Sequence, residues 1–194
     1  MNFLAHIYLS GNNPCVIIGN FMADSIKGRQ YKAFDKNIQK GILLHRQIDT
    51  STDAHPNFKS STKRLHANYG HYSGIIVDIF YDHFLAKNWK DYSSQSLSEF
   101  ADKNYRLFQK NFKRLTPQIQ YMLPYMVQNN WLYNYQFIDG ISDTLNGMNR
   151  RTKGKSGMHQ ATRELMAHYD AFEADFKLVF KDLMLVSKDF ILEF

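Results

Sequence analysis

The segment that most constrains the fold of this chain is residues 73–89, SGIIVDIFYDHFLAKNW. Placed on a helix at about 100° per residue, its apolar side chains cover nearly the whole circumference and leave hardly any polar face. Such a helix is stable only when other parts of the chain remove its apolar sides from water. The sequence therefore predicts a long helix that lies mostly in the interior.

The rest of the chain is also dominated by helical signals, and no segment alternates strictly between apolar and polar residues. Asn13-Pro14 is a typical helix start, and either Ser96 or Ser98 marks another. Further helices are predicted at residues 38–50, 56–68, 117–128, 134–149 and 157–192. Only 10 glycines and 4 prolines occur, which is few for a loop-rich or all-β protein. We expect an all-α fold of about seven to nine helices in one domain, residues 1–194.

Charge and composition exclude several classes of protein. The net charge of +6 favours an acidic partner, but the basic residues are dispersed and no nucleic-acid-binding motif accompanies them. No apolar run approaches the roughly 20 residues that span a bilayer, and the start of the chain lacks the features of a signal peptide. The single cysteine, Cys15, rules out an internal disulfide. We therefore expect a cytoplasmic protein that binds neither nucleic acid nor a membrane.

Two acidic residues lie on the interior helix predicted above. Asp78 and Asp82 are four residues apart, so their side chains point the same way. Burying a carboxylate is costly, and the usual remedies are a partner, protonation or a cation. Two like charges this close repel each other unless a cation lies between them. His83 adds a neighbouring candidate ligand. Adjacent side chains on a helix point about 100° apart, so His83 and Asp82 can bind the same cation only if it lies between these two directions.

A second stretch, GILLHRQIDTSTDAH at residues 41–55, repeats the pattern on another predicted helix. His45 and Asp49 are four residues apart among apolar neighbours, and imidazole and carboxylate groups are ordinary ligands for Mn, Fe or Zn. One such pair on its own is more often a hydrogen-bonded pair than a metal site. Two such clusters, together with Asp24 after the apolar GNFMA, indicate a buried divalent cation.

Other signals for phosphate chemistry are absent from the sequence. Asp53 and His55 directly precede Pro56, and we expect them to cap the next helix rather than bind a cation. Neither a glycine-rich phosphate loop nor a serine nucleophile elbow occurs. The two clusters of histidine and aspartate are therefore the strongest candidates for a functional site.

Six long strings, spread over nearly the whole chain, carry a family resemblance. They are MNFLAHIYLS (1–10), GNFMADSIKG (19–28), GILLHRQIDTSTDAHP (41–56), DIFYDHFLAKNW (78–89), FIDGISDTLNGMNRR (137–151) and AHYDAFEADF (167–176). In these strings the chain resembles the acyl carrier protein phosphodiesterases, also called holo-acyl-carrier-protein hydrolases. That family is similar to the HD-type metal-dependent phosphohydrolases, in a variant form.

The resemblance implies an all-α fold, a divalent cation (Mn²⁺ or Mg²⁺) and an acidic protein substrate. The reaction it implies is hydrolysis of the phosphodiester that joins 4′-phosphopantetheine to a serine of holo-acyl carrier protein, which leaves the apo carrier. The metal ligands that it implies are Asp24, His45, Asp78, Asp82 and His83. The order Asp82-His83 departs from the His-Asp order that names the larger superfamily, so the ligand set stays open.

Further roles follow from general phosphate chemistry. Asp49 is a candidate general acid or base beside the metal. Lys27 and Arg46 are candidates for holding a phosphate oxygen, and arginine is better suited to bidentate contact. The alternative for both is an ordinary surface charge. Arg150 and Arg151 are candidates for docking the acidic carrier protein or for clamping its phosphate.

Two alternative functions stay open. A related phosphohydrolase that acts on a small nucleotide or another phosphodiester would use the same metal residues. A helical protein that docks acidic partners without catalysis is the other alternative, although such a protein gains little from buried pairs of carboxylates. On the main hypothesis, Asp78→Ala or Asp82→Ala abolishes turnover and leaves the fold largely intact.

Overall fold

The computed structural model describes residues 1–193, and within them the fold is all-α, as predicted. Eleven α-helices follow one another along this part of the chain: α1 (Phe3–Leu9), α2 (Pro14–Met22), α3 (Lys36–Ala54), α4 (Pro56–Tyr69), α5 (Ser73–Lys87), α6 (Leu97–Lys110), α7 (Pro117–Gln128), α8 (Trp131–Asn134), α9 (Ile138–Arg151), α10 (Thr162–Ala167) and α11 (Tyr169–Glu193). The number exceeds the sequence prediction because α1, α8 and α10 have only 7, 4 and 6 residues. Helices this short show too little periodicity to be recognised in a sequence.

Several helices begin where their capping signals predict. Asn13 caps α2, because its side-chain oxygen accepts hydrogen bonds from two N–H groups of the first turn. Ser96 caps α6 and forms a capping box with Glu99. His55 caps α4, because its Nδ1 accepts a hydrogen bond from the N–H of Asn57 at 3.1 Å. These ends follow from local chemistry, which the sequence displays directly.

Helix α5 runs through the interior, as its all-round apolar character predicts. It packs against α1, α4, α9 and α11. Phe80, Tyr81 and Phe84 in its middle are fully buried. Near its first turn Ile75 is 41% exposed, because this end of the helix forms part of a cavity wall.

Helices α2 and α3 approach each other more closely than ordinary helix pairs can. Gly19 of α2 and Gly41 of α3 face the partner backbone, and a Cβ on Gly19 would overlap the carbonyl oxygen of Ile38. A Cβ on Gly41 would overlap the carbonyl oxygen of Val16 and lie 2.8 Å from the backbone nitrogen of Asn20. The missing side chains therefore let the two backbones touch, and this contact places the end of α2 beside the middle of α3.

One continuous hydrophobic core joins the helices. It extends from Leu4 in α1 to Leu183 in α11. Phe21 and Phe108 stack at 3.9 Å between ring centres and connect α2 with α6 within it. Across residues 1–193, no helix combines the length and the apolar character that crossing a membrane requires.

Candidate metal centre

The contact between α2 and α3 brings the first site residues together. His45 and Asp49 lie on α3, and Asp24 lies in the 3₁₀ turn Ala23–Ser25 that follows α2. The His45 Nε2 atom is 3.1 Å from Asp24 Oδ1 and 3.1 Å from Asp49 Oδ2. The two residues paired by their spacing in the sequence are therefore in contact, and Asp24 lies against the same ring nitrogen.

Helix α1 adds His6, a residue that the sequence analysis did not select. Its ring stacks on the ring of His45 at 4.0 Å between centres, and its Nε2 lies 3.1 Å from Asp49 Oδ1. His6 is buried, and neither of its ring nitrogens makes a well-formed hydrogen bond within the described residues. The signal was present in the sequence, since His6 interrupts the apolar run FLAHIYL as His45 interrupts GILLHRQI.

These side chains determine one another's charge. Burial alone would lower the pKa of His45, but the carboxylates of Asp24 and Asp49 outweigh burial and raise that pKa to about 9. Burial, with the charge of His45 beside it, lowers the pKa of His6 to about 4. Burial would raise the pKa of Asp49, but the two histidines hold the pKa of that carboxyl far below its usual range. Without a cation at neutral pH, His45 is therefore protonated, His6 is neutral and Asp49 is ionised.

The cluster fits a divalent cation. One ligand atom from each of His6, His45 and Asp49 lies within 4.8 Å of the others. Imidazole nitrogen and carboxylate oxygen together suit the first-row divalent metals. Buried polar atoms without hydrogen bonds are rare in proteins, and a cation would satisfy one of the two ring nitrogens of His6. Asp24 lies close enough to His45 to add a further oxygen donor.

The two carboxylates of α5 have partners other than a shared cation. Asp78 Oδ1 lies 2.7 Å from the amino-terminal nitrogen of Met1. Asp82 is fully buried and accepts hydrogen bonds from the N–H groups of Leu4 at 2.7 Å and Ala5 at 3.2 Å, at the start of α1. Burial, against these favourable contacts, still raises the pKa of Asp78 to about 6 and that of Asp82 to about 7. Because α1 satisfies Asp82, we leave this residue out of the proposed ligand set.

His83 also has its ring nitrogens occupied elsewhere. Its Nδ1 lies 2.7 Å from the carbonyl oxygen of Tyr135, and its Nε2 lies 2.6 Å from the hydroxyl of Tyr169. Because a carbonyl only accepts hydrogen bonds, Nδ1 carries the proton and Nε2 accepts the hydroxyl proton of Tyr169. In the described structure these contacts join α5 to α11, and the ligand role that the resemblance implies for His83 stays a prediction.

A cavity of about 600 Å³ opens beside the cluster, a size suited to a small molecule or a prosthetic group. The acidic and imidazole side chains in its lining are those of Asp24, His45, Asp49, Asp53 and Asp78. Apolar side chains and a basic residue complete much of the wall: Ile75, Ile79, Met148, Met158 and Arg151. Asp53, expected to cap a helix, therefore lines the cavity, while its neighbour His55 is the cap of α4.

The predicted basic residues occupy different environments. Arg151, at the end of α9, lines the cavity, and the adjacent Arg150 is exposed. Arg46 donates a hydrogen bond from Nη2 to the carbonyl oxygen of Ile26 at 3.0 Å, and its guanidinium lies over the ring of Tyr31. These contacts give Arg46 a structural function in the segment that follows α2. Lys27 is exposed and does not belong to the described cavity lining.

Fold and site together define an all-helical protein with a candidate metal centre of histidine and aspartate in the wall of an open cavity. The family model for acyl carrier protein phosphodiesterase matches residues 1–183. The chain therefore belongs to the acyl carrier protein phosphodiesterase family.

Relatives that bear this name are similar over most of their length. A protein from Enterobacter sp. (strain 638) is 29% identical over 190 residues, which cover 97% of this chain and 98% of the relative. A protein from Photorhabdus laumondii subsp. laumondii is 30% identical over 177 residues, which cover 91% of this chain and 89% of the relative. One from Escherichia coli O139:H28 is 30% identical over 177 residues, covering 91% and 92%. No solved structure matches the chain.

Proposed function

We propose that this protein is a metal-dependent phosphodiesterase that removes 4′-phosphopantetheine from the serine of holo-acyl carrier protein. The observation that carries the proposal is the convergence of His6, His45 and Asp49, of which His45 and Asp49 line a cavity that also contains Arg151. The carrier-protein substrate is supported by family membership and by the shared name of the relatives.

His6, His45 and Asp49 would hold the divalent cation, with Asp24 as a further donor. When bound, such a cation lowers the pKa of water and polarises a phosphoryl oxygen. Two imidazole nitrogens in the donor set favour Mn²⁺ over Mg²⁺, because Mg²⁺ prefers a shell of oxygen ligands and water.

The other residues of the cavity bind the substrate and move protons. Arg151 can contact two phosphoryl oxygens at once through its planar guanidinium. Asp78 lines the same cavity, and its pKa of about 6 suits a group that accepts a proton from water near neutral pH. Attack of that water on phosphorus breaks the bond to the serine oxygen, and the serine leaves as a hydroxyl after taking up a proton.

Charge supports a carrier protein as the partner. The chain has a net charge of +6, and exposed Arg150 lies beside Arg151 at the end of α9. A basic surface at the mouth of the cavity would steer an acidic protein toward the site. A relation to the HD-type phosphohydrolases remains part of the proposal, supported by the all-α fold and by helix-borne His45 and Asp49.

The proposal is tested by incubating holo-acyl carrier protein with this protein, either with Mn²⁺ or with a chelator, and measuring the intact mass of the carrier. We expect loss of one phosphopantetheine with Mn²⁺ and an unchanged mass with chelator. A parallel reaction uses bis(p-nitrophenyl) phosphate as a small phosphodiester. Rapid hydrolysis of the small diester with no change in carrier mass would contradict the carrier assignment and favour a phosphohydrolase for small substrates.

A further inference from the structure

Asn20 links the two histidines of the candidate metal centre. It is not one of the proposed metal ligands. It lies on α2, next to Gly19, and is fully buried. Its Nδ2 lies 3.1 Å from the carbonyl oxygen of His6, and its Oδ1 lies 3.0 Å from Nδ1 of His45. Both ends of one buried amide therefore contact residues of the centre, one on α1 and one on α3.

The chemistry of these contacts fixes the direction of each hydrogen bond. A backbone carbonyl only accepts, so the amide NH₂ of Asn20 must face His6. The amide oxygen then faces His45, and an amide oxygen also only accepts. The proton of that contact therefore belongs to Nδ1 of His45. The other ring nitrogen, Nε2, faces Asp24 and Asp49, and it is the nitrogen that binds a cation once the cation has displaced its proton.

We infer that Asn20 is the positioning residue of this centre, holding His45 in the tautomer and orientation that direct Nε2 to the cation. The inference rests on the metal-dependent function proposed above. Groups that bind the second nitrogen of a ligating histidine fix its ring, and their loss costs about 10–100-fold in metal affinity in other proteins. In this chain the residue that does so also holds the backbone of the second histidine.

The contact with His6 extends the same effect to α1. The carbonyl oxygen of His6 accepts a second hydrogen bond, from the hydroxyl of Ser10 at 2.7 Å. Ser10 is buried as well, but within the described residues its hydroxyl donates to His6 and forms no hydrogen bond with His45. Asn20 and Ser10 therefore both donate to the carbonyl oxygen of His6. Only Asn20 also accepts a hydrogen bond from the ring of His45. Ser10→Ala is the matched control for Asn20→Ala.

The test is a calorimetric titration of the purified full-length chain with Mn²⁺, for wild type, Asn20→Ala and Ser10→Ala. We expect the dissociation constant of Asn20→Ala to rise by about 10–100-fold and that of Ser10→Ala to stay close to wild type. Thermal unfolding in chelator accompanies each titration, because a merely structural role would lower the unfolding temperature without changing the affinity of the protein that remains folded.

A second variant keeps the test decisive if Asn20→Ala fails to fold. Asn20→Asp retains an oxygen that accepts the Nδ1 proton of His45 but cannot donate to His6. We expect it to bind Mn²⁺ more tightly than Asn20→Ala, or close to wild type where the alanine variant is unfolded.

Failure of the inference is distinguishable from failure of the proposed function. Wild-type binding of Mn²⁺ together with equal binding by folded Asn20→Ala would overturn the role of Asn20 and leave the metal centre intact. Absence of Mn²⁺ binding by the wild type would overturn the metal centre itself, and the inference with it.

Discussion

Asp82 shows at the scale of one residue how a buried carboxylate can serve the fold. Its two oxygens accept hydrogen bonds from the first turn of α1, which carries His6 into the centre. The N-terminal N–H groups of a helix have no partner within the helix, and a carboxylate also interacts favourably with the helix dipole there. Asp82 therefore anchors the helix that supplies one of the proposed ligands.

Asp82→Ala is expected to destabilise the protein, in contrast to the hypothesis from sequence that the fold tolerates this change. The substitution leaves the buried N–H groups of Leu4 and Ala5 without an acceptor, at about 1–3 kcal/mol for each unsatisfied group. Urea unfolding followed by circular dichroism measures the loss. The matched control is Asp53→Ala, an exposed cavity carboxylate, which should stay within about 0.5 kcal/mol of wild type. Equal stability of the two variants would contradict the anchoring role.

Asp78→Asn tests the proposed general base. Since the pKa of Asp78 is about 6, the rate with the wild type should fall as the pH drops below about 6, where this carboxylate becomes protonated. The asparagine variant should lose that acid limb and turn over about 10²–10⁴-fold more slowly. The measurement is a pH profile of kcat/KM at saturating Mn²⁺. An unchanged profile would exclude Asp78 as the base.

The sequence predicts local relations between residues and misses distant ones. His45 and Asp49 lie one helical turn apart, so their contact follows from helix geometry alone. The partners of Asp78 and Asp82 lie at the start of the chain: Met1 precedes Asp78 by 77 positions, and Leu4 precedes Asp82 by 78. Only the tertiary fold brings those groups together. The sequence shows two buried carboxylates without visible partners, and it therefore predicts a cation between them.

At the scale of elements, the contact between α2 and α3 determines the site. Helix α2 carries Asn20, the 3₁₀ turn that follows it carries Asp24, and α3 carries His45 and Asp49. The caps that begin the helices could be read from the sequence, since each depends on a few adjacent residues. The significance of Gly19 and Gly41 could not, because a glycine within a helical pattern does not show which backbone lies against it.

Gly41→Ala should damage both stability and the candidate centre. The added methyl group would overlap the carbonyl oxygen of Val16, so α2 and α3 must move apart, at about 1–3 kcal/mol or more. We also expect weaker Mn²⁺ binding, because Asn20 and His45 lie on the separated helices. Chemical unfolding and metal titration measure the two effects.

Gly74→Ala is the matched control for this substitution. Gly74 lies in α5, and the nearest atom to its added Cβ is Cζ of Phe58 at 4.0 Å, an ordinary contact. Alanine there should leave stability unchanged or raise it by about 0.4–1 kcal/mol. A Gly41→Ala protein as stable as the Gly74→Ala protein would show that the close helix contact is not needed.

At the scale of the whole molecule, the interior was easier to predict than the cavity. The all-round apolar character of residues 73–89 predicts a buried helix, and the structure confirms it. The cavity draws its lining from the two residues before α1, from α3, α5 and α9, and from two 3₁₀ turns, and no single segment displays it. For this reason the sequence could single out Arg151 as a basic residue but could not show that it lines the same cavity as Asp78.

Charge reversal at the end of α9 tests the proposed docking surface. Arg150→Glu should raise KM for holo-acyl carrier protein several-fold at low salt, and the difference from wild type should shrink as added salt screens the charges. Lys188→Glu makes the same change of charge on α11, which contributes no residue to the described cavity lining. Equal values of KM for the two variants would contradict docking at this surface.

The central claim is that His6, His45 and Asp49 form the metal centre at which the phosphodiester is cleaved, and His6→Gln tests it most directly. Within residues 1–193 the ring of His6 makes no well-formed hydrogen bond, and its polar contact is with Asp49 of the same centre, so a polar side chain of similar length should preserve the fold while removing a metal ligand. The measurement is the intact mass of holo-acyl carrier protein after incubation with Mn²⁺ and either wild type or the folded variant. We predict loss of phosphopantetheine with wild type and retention with His6→Gln. Equal loss with both proteins would contradict the account.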